Sequence, residues 1–231
     1  MLSPDYNQLT PQQAVAIQRK LRERINLRPL DKPVHTIGGT DISFNKYSDT
    51  VYAGIVVLSY PELQVIHTAT TVAKVTFPYV PGLLAFREVP ALLEVWNKLE
   101  IKPDVLVLDG HGIAHPRRMG IATHFGVLAD IPTIGCGKSR LTGRFEPPAD
   151  APFSTSELVD KGEMIGTVLR TKAKCNPVFV SPGHNITMAE SVNLIKHCTR
   201  RYRIPEPTRL AHLLVNEVRL QEKNDKSDTT N

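Results

Sequence analysis

Lys102-Pro103-Asp104-Val105-Leu106-Val107-Leu108-Asp109-Gly110-His111-Gly112 is the stretch on which the fold turns. A run of Val and Leu, bounded by Pro before and Gly after, reads as a short strand buried on both faces. It ends in a carboxylate followed by glycines, so the chain turns sharply where Asp109 leaves the sheet. In open α/β sheets, ligands bind in the crevice beyond the carboxyl ends of parallel strands. An acid there, with Gly on its far side, can hold a metal or come close to a phosphate, because no Cβ blocks the approach. Taken alone, the same residues make a βα turn whose Asp caps the next helix, and the flanking chain has to decide.

Upstream, residues 34–44, 51–60 and 64–76 are β-branched runs joined by short links, which predicts an antiparallel meander. Thr76-Phe77-Pro78-Tyr79-Val80-Pro81-Gly82 is a loop, since two prolines so close forbid helix and central strand alike. A helix over 83–99 follows, kinked or split at Pro90. At the N-terminus, Thr10-Pro11-Gln12-Gln13 starts a helix running to about Arg28. Ala14, Ile17, Leu21 and Ile25 form its apolar face, and Arg and Gln fill the opposite one.

Downstream, His115-Pro116-Arg117-Arg118 opens a helix carrying Met119, Ala122, His124 and Leu128. Residues 131–137 read as a second buried parallel strand with Lys138 at its end, and 141–161 as a loop. Residues 164–170 and 177–181 are strands, and 187–200 and 207–222 are helices. With no internal repeat or linker, one domain over 1–222 is expected, and the polar tail 223–231 is expected to be disordered. Three meandering strands, then helix–strand–helix–strand, is the order of an α/β ribonuclease H-like mixed sheet with flanking helices. In that topology the first strand lies beside the fourth, so Asp41 and Asp109 become neighbours.

The 231 residues carry 41% hydrophobic and 22% charged residues, ordinary for a globular chain. No apolar run is long enough to span a membrane, and Met1-Leu2-Ser3-Pro4-Asp5 opens no signal peptide. The expectation is a soluble cytoplasmic protein, monomeric and without a membrane partner. Cys136, Cys175 and Cys198 lie far apart with no paired spacing, which argues against a disulfide framework and a Cys-based zinc site. Net charge is +5. The positive charge clusters at Arg117-Arg118, Lys138-Ser139-Arg140, 170–174 and Arg200-Arg201-Tyr202-Arg203. Each cluster alone is a solvated face; together they lean towards a nucleic-acid partner.

Two carboxylates in one crevice need a cation, since like charges that close do not both stay ionised unaided. Oxygen ligands with retained water favour Mg²⁺ or Mn²⁺ over zinc. Such a metal suits phosphodiester hydrolysis. Glu88, on the helix after the loop, could reach the same crevice, although from position alone it is a surface charge. His111 and His115 are four apart, but Gly112 and Pro116 put them in a turn and no metalloprotease Glu follows, which argues against zinc. Pro78-Tyr79-Val80-Pro81 is a stiff tip bearing an aromatic ring. It either fills the core or wedges between bases and occupies the gap left by an extruded nucleotide.

The segments 77–88, Asp109-Gly110-His111-Gly112 with His115-Pro116-Arg117-Arg118, and Arg203-Ile204-Pro205-Glu206-Pro207-Thr208-Arg209 together resemble bacterial endonuclease V, with Gly39-Thr40-Asp41-Ile42-Ser43-Phe44 similar to its first metal-binding strand. The resemblance runs in order from about Leu9 to Val218. It implies a Mg²⁺-dependent enzyme (Mn²⁺ substituting) that recognises deaminated purine, chiefly deoxyinosine, in DNA. Such an enzyme cuts the second phosphodiester bond on the 3′ side, leaving 3′-hydroxyl and 5′-phosphate ends. It further implies Asp41 and Asp109 as metal carboxylates, Glu88 as third acid, His212 beside the metal's ligand shell and Lys138 near the scissile phosphate. Tyr79 would be the tip of the wedge Pro78, Tyr79, Val80 and Pro81. Gly82, Leu84, Gly112, Ile121 and Leu141 would line the pocket for the flipped hypoxanthine, with Gly82 and Gly112 small because the base approaches the main chain. One departure is Gly135-Cys136-Gly137-Lys138, with Cys and Gly where the family carries Val and Ala; Cys136 is given no redox role. Cleavage of inosine-containing RNA and a non-catalytic binding module of the same fold are the alternatives. The presence of Asp41, Glu88, Asp109 and His212 speaks against the second.

Overall fold

The computed structural model describes residues 5–45 and 48–228, with 223–228 by backbone alone. The stretch read as lacking a signal peptide (apart from Asp5), the middle of the first strand link and the last three residues lie outside them. α1 (Pro11–Arg22) opens with the expected capping box, Thr10 and Gln13 exchanging side-chain to backbone hydrogen bonds. β1 (Thr36–Phe44), β2 (Thr50–Ser59) and β3 (Val65–Lys74) form the antiparallel meander. Then come α2 (Ala85–Lys98), β4 (Val105–Leu108), α3 (Ile121–Ala129), β5 (Thr133–Gly137), β6 (Thr155–Asp160), β7 (Glu163–Leu169), β8 (Val178–His184), α4 (Met188–Cys198) and α5 (Glu206–Asp228).

All eight strands share one mixed sheet in the order β3-β2-β1-β4-β5-β8-β7-β6. β4 runs parallel to both β1 and β5, and the other pairings are antiparallel. This is the expected ribonuclease H-like arrangement. The alternation of β4 shows why its sequence is continuously apolar: Leu106 and Leu108 enter one core with Phe86, Leu92 and Phe125, while Val105 and Val107 enter the other with Ile195 and Ala211. Helices therefore cover both faces, α2 and α3 on one side and α4 and α5 on the other.

The sequence reading departs from the structure in five places. α1 stops at Arg22 rather than near Arg28, because the following backbone is drawn into tertiary contacts: Asn26 N–H donates to His184 Nδ1, and its carbonyl accepts from Asn185. Gln18 is an exception to the expectation that the Arg and Gln residues of α1 gather on its polar face: it is fully buried beside Ala14 and Leu21. α3 begins at Ile121, not His115. His115 Nδ1 accepts from the Arg117 N–H at 3.1 Å and Arg118 takes a left-handed φ of 59°, so 113–120 is a compact turn. The supposed loop 141–161 contains β6, an edge strand whose mixed polar pattern hid it. The tail expected to be disordered from 223 instead continues α5 to Asp228.

Candidate active site

Register does most of the work of assembling the site. Thr40 pairs with Leu108 across the parallel β1/β4 ladder, so the next step brings Asp41 alongside Asp109. Glu88, in the first turn of α2, joins them, and the three carboxylates line one cavity with Thr40, Ile42 and Ile121. Lys138 follows β5 and its ammonium closes on Asp109 Oδ2. From the other layer, α5 presents His212, whose Nδ1 lies 3.0 Å from Asp41 Oδ2. The five residues expected to carry the chemistry are therefore together.

Asn216, one helical turn beyond His212, was missed. Its side-chain Nδ2 lies 2.9 Å from His212 Nε2. With the amide donating, Nε2 is bare and Nδ1 carries the proton given to Asp41, a tautomer inferred from the network. The signal was available in the sequence: a polar amide four residues after a candidate histidine on one helix face.

The electrostatics show carboxylates crowded in a half-buried place. Burial, and then the Asp109 charge, push the Asp41 carboxyl up, while His212 and Lys138 pull it back. Burial, then Asp109 and Asp41, push Glu88 up to about 8. Among the described residues, no group of three or more His, Cys, Asp and Glu side chains is arranged to hold a metal ion. Two carboxylates that repel each other's charge, with open space beside them, still fit a hard cation that keeps most of its waters, such as Mg²⁺.

A second cavity, of about 180 Å³, opens directly beside the first. Tyr79, Val80, Pro81, Gly82, Leu84, His111, Met119, Ile121 and Leu141 line it, and Asp109 belongs to both cavities. The Pro78–Pro81 tip stands over it with Tyr79 73% exposed, which removes the core-filling reading of that ring. Phe77, fully buried, anchors the tip from below. Gly112 does not line this cavity. A Cβ there would sit 2.1 Å from the Pro182 carbonyl oxygen, so this glycine is required by close packing against β8, and its N–H donates to Ser181 Oγ.

His115 is not free for zinc. Its Nε2 donates to the Gly82 carbonyl at 3.1 Å and its Nδ1 accepts from backbone, while burial and then Arg117 push its pKa down to about 4. Cys136 is buried, and burial pushes its thiol up to about 12. The basic clusters are partly structural. Arg118 pairs with Asp160 and Glu163, and Arg170 and Arg203 donate to main-chain carbonyls. Among the described residues, no helix is long and apolar enough to cross a membrane.

Cutting a phosphodiester brings a nucleophile to a centre ringed by negative oxygen, and acids such as Asp41, Glu88 and Asp109 can serve that only with a cation between. With the sheet order, this defines a metal-dependent nuclease of ribonuclease H-like fold. The model of the family "Endonuclease V" matches residues 19–213. Endonuclease V of Trichormus variabilis is 44% identical over 209 residues, covering 90% of this chain and 95% of the relative. The solved endonuclease V of Streptomyces avermitilis superposes with a TM-score of 0.89 at 38% identity, covering 97% of this chain and 100% of its own. That of Ciona intestinalis, solved with a 24mer DNA containing an inosine followed by a ribo-adenosine, gives 0.79 at 28% identity over 91% and 98%. The chain belongs to the endonuclease V family.

Proposed function

We propose that this protein is a DNA repair endonuclease that recognises deaminated purine, chiefly deoxyinosine, and hydrolyses the second phosphodiester bond 3′ to it, leaving 3′-hydroxyl and 5′-phosphate ends. It acts as a monomer through one catalytic domain over 1–222. The observation that carries the reading is the sharing of Asp109 and Ile121 by the two cavities, one for a base and one for the cut. The Ciona relative's complex with inosine-containing DNA supports the substrate.

Tyr79 enters the base stack and fills the gap of the extruded nucleotide, whose base turns into the cavity bounded by Gly82, Leu84, Ile121 and Leu141. The strand leaving that cavity passes Asp109. Lys138 offers its ammonium to the scissile phosphate. His212, held as the Nδ1–H tautomer between Asp41 and Asn216, orients Asp41 and keeps a basic Nε2 that Asn216 restrains. Asp41 and Asp109 would hold Mg²⁺, or Mn²⁺ in its place, which supplies polarisation of the phosphate and activation of water.

The test incubates the protein with Mg²⁺ and labelled duplexes bearing one inosine, as deoxynucleotide or ribonucleotide. A nick at the second bond 3′ to deoxyinosine is expected. No nick near either lesion, in folded protein, sinks the enzyme reading, and a preference for the ribonucleotide moves it to RNA.

A further inference from the structure

α1 buries one side chain that does not belong on an apolar stripe. Between Ala14 and Leu21, where a leucine would pack without cost, stands Gln18, with no exposed surface. An amide placed there loses its hydration and is tolerated only if its hydrogen bonds are remade. They are. Gln18 Nε2 donates to the Gly82 carbonyl at 3.0 Å and to the Met119 carbonyl at 3.3 Å, and Oε1 accepts from Arg117 Nε at 2.5 Å.

None of these partners lies in α1. Gly82 is the root of the Pro78–Pro81 tip and turns with φ +78°. Its carbonyl also accepts from Arg117 Nη2 at 2.7 Å and lies 3.1 Å from His115 Nε2. Met119 lines the base cavity. The side chain therefore ties the hinge of the tip to the wall of the cavity, and Arg117 closes the triangle.

We infer that Gln18 is a positioning residue for strand entry: with Arg117 it clamps Gly82 so that Tyr79 is held rigid over the cavity while it parts the stacked bases of a duplex. The inference rests on the wedge reading given above. A tip that must displace paired bases loses effect if its root yields, because part of the force goes into moving the loop. A single strand offers its inosine already unpaired and asks little of the tip.

The test uses Gln18→Met, which keeps the volume and removes all three hydrogen bonds. kcat/KM is measured with Mg²⁺ on one inosine-bearing DNA strand, alone and annealed to its complement. On the duplex a fall of about tenfold is expected, the scale of one buried hydrogen-bonding unit, against less than about twofold on the single strand. Equal losses on both substrates, or no loss on the duplex, overturn the inference. A wild-type protein that cuts neither substrate defeats the proposed function instead, which keeps the two failures apart. Should Gln18→Met not fold, Arg117→Lys decides by the same ratio, since it keeps the charge and loses the planar fork that spans Gln18 and Gly82.

Discussion

Replacing His124 should flatten the acid side of the stability profile, because the ring is buried and lacks a partner for one nitrogen. Its imidazole is fully buried, edge-on to Phe86 at a centroid distance of 5.0 Å. Nε2 is 2.9 Å from the Tyr6 hydroxyl, and Nδ1 has no partner. Burial, and then the neighbouring His115, push its pKa from 6.5 down to about 3. The folded value lies below the unfolded one, so between them the unfolded chain binds more protons and stability rises with pH. The contribution is complete above about pH 6.5 and is lost as pH falls towards 3. At about pH 5 the group sits 1.5 units below its unfolded pKa, and at 1.36 kcal/mol per unit the loss is about 2 kcal/mol. His115, pushed down to about 4, adds a similar loss. Urea unfolding in Mg²⁺-free buffer at about pH 7.5 and about pH 5 measures this. His124→Phe should lose about 2 kcal/mol less than wild type between the two, equivalent to roughly 4–8 °C in Tm. Comparing differences cancels the fixed cost of the substitution and the opposite contributions of Asp41 and Glu88. A variant that loses as much as wild type would refute a buried, neutral His124.

Tyr79→Ala should change stability by no more than about 0.5 kcal/mol, given the exposed ring, while weakening lesion binding about tenfold. Gross destabilisation in a urea titration would return Tyr79 to a packing role. Asn216→Leu should lower kcat about tenfold with little change in KM, because His212 loses the partner that sets its tautomer; an unchanged kcat under saturating duplex contradicts that role.

The elements legible in the sequence were those decided by local pattern. Val105–Leu108 could only be a two-faced strand, Thr10-Pro11-Gln12-Gln13 could only start a helix, and the order of elements put β1 against β4. The carboxylate pair followed from topology rather than spacing, since 67 intervening residues separate Asp41 from Asp109. What escaped was decided by distant neighbours. Gln18 and Arg117 have meaning only where α1 meets the root of the tip: Gln18 shares the buried wheel positions of Ala14 and Leu21, and its amide hides that from a reading by residue type. Gly112 is glycine because Pro182 passes over it, a contact no local pattern records. His115 reads as a helix start, yet Arg118 takes a left-handed φ through which no helix continues, and α3 begins only at Ile121.

A single βα turn would join reading the lesion to cutting the strand, since Asp109 lies where the two cavities meet. The direct measurement pairs inosine-duplex binding by fluorescence anisotropy with Mg²⁺-dependent cleavage, in wild type and Asp109→Ala. The variant should lose cleavage by about a thousandfold or more while still preferring the inosine duplex over an undamaged one. Undiminished cleavage by Asp109→Ala would contradict the account.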